Sequence, residues 1–272
     1  MAGLNGEYRH KLDAKGRLSL PSSIRKLLTE ETQMVVVPDA RFKILAKESL
    51  SIHEKLIVIL DMGSKIQQCI NTDEYDNIKS VVNDYLKEGI AHTLDETRNL
   101  SDSGQFEDIS LQQGIRQILY PYEEMEVLNP EWEVILKDII DSLFEQMSDE
   151  EYNILNEEFG TYMVSRAYEY RQLLEYLVFR YFAKSIYDYD FLGKCQMLVT
   201  NFFVIRQMDI IRWLDNHREY SFKDRMDVVH IFSRQVEYSE DNIENLYEDF
   251  IFDDIFKTDS LIAILWIDSE NI

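Results

Sequence analysis

Two cysteines, Cys69 and Cys195, are too few to build a cysteine-ligated zinc or iron–sulfur site by themselves. They stand far apart in surroundings with helical patterning, so two reduced, buried thiols are expected rather than a disulfide. Long apolar runs are equally scarce. The longest clean one near the C-terminal end, Leu261 to Ile267, has seven residues, against the ~20 that a membrane-spanning helix needs. The opening MAGLNGEYRH has no apolar core of an export signal, and a soluble cytoplasmic protein with no membrane contact is expected. No glycine-rich strand-to-helix loop of the nucleotide-binding kind is present, so no cofactor is expected. His217 and His230 lie thirteen residues apart without a third ligand at a familiar spacing, which speaks against a metal site.

Positive charge is the other scarcity. The 272 residues carry 28 Lys/Arg against 51 Asp/Glu, a formal net charge of −23, and the division along the chain is uneven. Residues 1–47 hold nine basic and five acidic side chains, a balance of +4; residues 48–272 hold the other 19 basic and 46 acidic, a balance of −27. Five of the cations, Lys11, Lys15, Arg17, Arg25 and Lys26, fall in the single stretch HKLDAKGRLSLPSSIRKLL at residues 10–28. A basic end on an acidic body is the asymmetry expected when one module meets a polyanion and the other does not. On charge alone, a solvated basic face with no partner accounts for it equally well.

Residues 5–47 read as strands around one short helix. Glu7–Leu12 and Arg17–Leu20 flank the turn Asp13-Ala-Lys-Gly16, Pro21 opens a helix running to Leu28, and Met34–Val37 and Phe42–Leu45 form a hairpin about Pro38-Asp39. Such a β-α-β-β segment of about forty residues is too small to bury a sufficient core alone. Without metal ligands or a disulfide, pairing with a second copy is the economical solution, and it displays each of the five cations twice. Lys side chains on a turn and helix suit phosphates, while Arg17 or Arg25 can pair bidentately with guanine in a major groove.

The run Lys11-Leu12-Asp13, Gly16-Arg17, the alternating strand ending in Pro21, and Arg25-Lys26-Leu27-Leu28 resembles the N-terminal motif of the AbrB/SpoVT/MazE family, with MraZ proteins as a related variant. That resemblance implies an intertwined swapped-hairpin homodimer that binds DNA. Carried over by position, it implies that Lys11, Arg17, Arg25 and Lys26 contact DNA, with Lys15 at the tip of the turn a further candidate. Asp13, Gly16 and Pro21 match structural positions.

From Glu48 onward strand signals vanish. Apolar spacings of three and four mark helices at 51–70, 74–88, 111–120, 130–147, 149–159, 162–184, 191–215, 222–237 and 240–256, and 95–110 reads as a polar loop. Asn129-Pro130 and Ser148-Asp-Glu-Glu151 are start signals. Eight acidic residues and no basic one fall in 237–254. The aromatic tract Tyr168, Tyr170, Tyr176, Phe179, Tyr181, Phe182, Tyr187 and Tyr189 is spaced as core and helix interface. The adjacent pairs Glu150/Glu151 and Glu157/Glu158 point in different directions on a helix, which suits a solvated face better than acid–base catalysis.

Segments Met125–Trp132, Tyr176–Phe182 and Val229–Glu237 are similar to the C-terminal helical part of flagellin lysine-N-methylase-like proteins, over roughly residues 50–256. That resemblance implies a helical scaffold that recognises a protein or peptide; the cysteine-rich region of such enzymes has no counterpart here. The expected architecture is therefore α+β: a small β-α-β-β swapped-hairpin module at 1–47, then an acidic all-helical domain at 48–272. The expected function is a dimeric, sequence-specific DNA-binding regulator of transcription, not an enzyme, whose helical domain binds a partner. A protein lysine methyltransferase-like protein and an antitoxin-like interaction module are the alternatives.

Overall fold

The computed structural model describes residues 40–102 and 109–270, and among these residues every regular element is a helix. Residues 40–45 form α1, followed by α2 (Ile52–Asn71) and α3 (Tyr75–Asp84). Through a wide π-helical turn at Tyr85–Gly89, α3 runs on into α4 (Ile90–Asp102). Next come α5 (Leu111–Glu123), α6 (Pro130–Ile139), α7 (Asp149–Met163) and α8 (Ala167–Tyr181). The long α9 (Phe191–Asp215) precedes α10 (Phe222–Phe232), α11 (Glu240–Phe252) and α12 (Thr258–Glu270).

The starts are set by local chemistry. Ser51 and Ser148 each close a capping box, in which the serine hydroxyl accepts from the amide three residues on and that residue's carboxylate accepts from the serine amide. Asn129 accepts from the Glu131 amide at 3.2 Å with Pro130 in the first helical position, and each such cap contributes about 1 kcal/mol.

At the centre lies α9, in which every residue from Gly193 to Ile211 is buried. It packs most extensively against α2, with α6, α8, α10 and α11 also in contact. The approach to α2 is close: a Cβ on Gly63 would fall 2.5 Å from the Cys195 sulfur. Both Cys69 and Cys195 are free and buried.

Three expectations are corrected. The α+β class does not hold, because no strand occurs among the described residues and Phe42–Leu45, read as a strand, is helical. Its apolar alternation also fits a helix that buries Ala40, Ile44 and Leu45 against the body while Lys43 stays exposed, and that packing decides. The remaining N-terminal readings, Glu7–Leu12, Arg17–Leu20, Pro21–Leu28 and Met34–Val37, lie outside the described residues. The polar loop at 95–110 is helical as far as Asp102, because α12 packs on it: the Trp266 indole donates to Thr97 Oγ1 at 3.2 Å, and Arg98 stacks 4.3 Å from the Trp266 ring. The aromatic tract divides. Tyr170, Tyr181 and Phe182 are core, whereas Tyr168, Tyr176 and Phe179 are largely exposed, because α8 buries only one stripe that runs through Leu173, Leu174, Leu177 and Val178; Tyr187 and Tyr189, beyond the end of α8, are exposed as well.

Candidate partner-binding cleft

The polar residues of α9 decide how its neighbours sit. Asp209, fully buried, accepts from the Tyr170 hydroxyl at 2.6 Å, from the Tyr220 hydroxyl and from the Arg225 guanidinium. Arg225 also reaches Glu169 at 3.2 Å, and Glu169 is forked by Arg166 at 2.7 and 3.0 Å. This chain of alternating charges ties α10 and α8 to α9. A second cluster ties α2, α7 and α12 to the same helix. Asp268 accepts from His53 at 2.6 Å and from Asn156 at 2.5 Å, and Arg206 donates to Asn156 at 2.9 Å. Burial pushes the Asp268 carboxyl up, but Arg206 and His53 pull it down harder, to about 2.

Where α6 and α10 diverge over the end of α9, they leave an open cleft of about 600 Å³. Each wall presents one helical stripe: Glu131, Val134, Ile135 and Asp138 from α6, and Asp227, His230 and Ile231 from α10 with Arg234 from the π-helical turn Ser233–Glu237 that continues it. Ile211, Arg212 and Asp215 close the base. The floor is apolar, through the buried Ile135, Ile211 and Ile231, and the rim carries four carboxylates against two guanidiniums. No ion pair joins these rim charges to one another among the described residues. A smaller hollow of about 300 Å³ on the other side of α6 is lined by Trp132, Leu136 and Ile140 with Glu123, Glu133, Lys137 and Asp141.

Lys11, Lys15, Arg17, Arg25 and Lys26 all lie outside the described residues. Of the nine N-terminal cations, Arg41, Lys43 and Lys47 are among the described residues, and Arg41 faces inward while Lys43 is exposed. The Arg41 guanidinium carbon lies 3.4 Å from the Phe182 ring centre and 4.4 Å from that of Phe191, and none of its three nitrogens has a hydrogen-bond partner among the described residues. Desolvation lowers its pKa to about 9, with Cys195 opposing, so it remains charged at neutral pH. Burial of Ile44 and Leu45 beside it contributes about 1.5–3 kcal/mol each. An unpaired buried charge costs several kcal/mol, and stacking on rings returns up to ~2. The seat of α1 is therefore closely balanced.

His230 lines the cleft and is exposed, as is His217, which sits at φ 57° in the turn after α9. The described residues hold no group of three or more His, Cys, Asp or Glu side chains suited to a metal ion. Glu150, Glu151, Glu157 and Glu158 are exposed on α7, in keeping with a solvated face, and Glu158 pairs with Arg218 at 2.8 Å. Sequence reasoning missed the cleft, because its stripes are ordinary amphipathic faces. The buried polar set Lys194, Gln196, Thr200, Asn201, Arg206, Gln207 and Asp209 in the 25-residue α9 was a signal for the two buried clusters, not for the cleft.

Two family models match the chain. That of the FliB lysine N-methylase C-terminal domain covers residues 39–264, and that of the MraZ protein, antitoxin-like by its description, covers residues 4–46. The two overlap at 39–46, the segment that contains α1. No curated protein and no solved structure matches the chain.

Proposed function

The chain belongs to the FliB lysine N-methylase C-terminal domain family, and from that premise we propose that its helical body binds a protein partner while the N-terminal segment binds DNA. The units are taken as residues 1–47 and 48–272, acting in a cytoplasmic homodimer that regulates transcription. The division of charge carries the reading: +4 in the first unit, −27 in the second. An acidic body repels a duplex, so only the basic end can approach it, through Lys11, Lys15, Arg17, Arg25 and Lys26. Similarity to MraZ over residues 4–46 supports this assignment.

In the body, the isoleucine floor and carboxylate-rich rim suit a basic side chain of the partner. Methylenes pack on Ile135, Ile211 and Ile231 and the cationic head meets Asp138, Asp215 or Asp227. Gel shifts against genomic fragments at rising salt test the DNA arm. Binding should fall steeply with salt, and equal binding by wild type and the Arg17→Ala/Arg25→Ala double variant would sink it. Titration with a lysine-rich peptide tests the cleft, and Asp138→Asn/Asp227→Asn should weaken binding by about 10-fold or more.

Family membership favours a second reading, protein methyl transfer with S-adenosylmethionine. Every described glycine (Gly63, Gly89, Gly114, Gly160 and Gly193) lies within a helix, so no glycine-rich loop cradles such a cofactor among the described residues. Saturable heat of S-adenosylmethionine binding in calorimetry would promote that reading over partner binding alone.

A further inference from the structure

The family match of each unit claims residues 39–46, yet the segment has one seat in the structure. That seat is in the body. Ala40, Ile44 and Leu45 are fully buried there, and Arg41 is held against both Phe182 and Phe191, whose rings meet edge to face with centres 5.8 Å apart. The hold is an unusual one for an arginine. Among the described residues all five of its N–H donors go without an acceptor, in a place where desolvation works against the charge. The helix is short, it ends in hydrogen bonds from the Ala46 amide to the Phe42 carbonyl at 2.9 Å and from the Lys47 amide to the Ile44 carbonyl at 3.1 Å, and Lys43 on its outer side is exposed. Apolar burial keeps the segment in; the unsatisfied guanidinium favours its leaving, because water or a phosphate would give every donor a partner.

We propose that α1 is a detachable latch: seated with Arg41 against Phe182 and Phe191 while the N-terminal unit is free, and withdrawn when that unit engages DNA, delivering Arg41 to a backbone phosphate. This rests on the DNA reading above. It adds a contact that the motif positions do not include, and it makes the body a restraint on DNA binding. A partner that tightened or loosened the Phe182/Phe191 socket would change DNA affinity without touching the duplex.

Hydrogen exchange of the full chain, followed by mass spectrometry over residues 40–47, tests it with and without saturating duplex DNA. The amides of Ala46 and Lys47 should exchange at least ~100-fold faster than those in the middle of α9, and DNA should accelerate them by about a further 10-fold. Arg41→Met keeps the stem and removes the unsatisfied charge. It should slow exchange about 10-fold and reduce the slope of log affinity against log salt by about one phosphate contact. Ile44→Asp should free the segment and bind DNA at least as tightly as wild type. Exchange as slow as that of α9, or DNA saturation without change in residues 40–47, overturns the latch. A chain that binds no DNA at any salt instead overturns the DNA reading; the latch is then decided by Arg41→Met, and unchanged exchange in that variant rejects it.

Discussion

Replacing Asp209 by alanine leaves the buried Arg225 with Glu169 alone, and Glu169 is already shared with Arg166. It also strips the hydroxyls of Tyr170 and Tyr220 of their acceptor. Breaking one partner of a buried pair costs about 3–5 kcal/mol, because the surviving charge stays desolvated. For a domain of this size that corresponds to a fall in Tm of roughly 6–20 °C. The companion variant Asp209→Leu/Arg225→Met removes both charges and should lose less than the single change, since no uncompensated ion remains. Urea titration monitored by circular dichroism and by tryptophan fluorescence measures both. Because Arg225 ties α10 to α9, the single variant should also widen the cleft and weaken the lysine-rich peptide. A loss below about 1 kcal/mol for Asp209→Ala, or a double variant no better than the single, would refute the view that this carboxylate organises the core.

Other outcomes follow from the same packing. Asp268 has its folded-state pKa held below the unfolded value, so the stability it contributes is present above about pH 4 and is lost as pH falls toward 2. Asp268→Asn should remove roughly 2–3 kcal/mol of that dependence, read as a flatter stability profile over the same window in acid titration. Gly63→Ala places a methyl group against the Cys195 sulfur and should cost about 1–3 kcal/mol in urea unfolding, with Cys195→Ala in the same chain restoring most of it. Ser148→Ala deletes the capping-box hydroxyl of α7 and should cost about 1 kcal/mol, whereas Glu150→Ala, exposed and outside the box, should cost less.

What could be read along the chain was local. The caps at Asn129 and Ser148, the helical spacing from residue 51 onward and the division of charge each depend on residues a few positions apart, and the caps and the helices stand as expected. The uniformly apolar Leu261–Ile267 hid α12, since a run without polar residues shows no period. The stretch 95–102 was misread for the converse reason: its sequence is polar, and its helix is recruited by a tryptophan 169 positions away. Residues 42–45 carry a strand's alternation and a helix's burial face at once. Phe182 and Phe191, which no local pattern connects to them, make the choice.

The sequence by itself determined that the chain has a basic end and an acidic helical body, because charge and helical period are properties of neighbouring residues. Only the tertiary structure decided which polar side chains of α9 would meet, where α6 and α10 would part to open a cleft, and that Arg41 would be drawn inside. Those outcomes depend on contacts between segments far apart in the chain, where burial outweighs local preference.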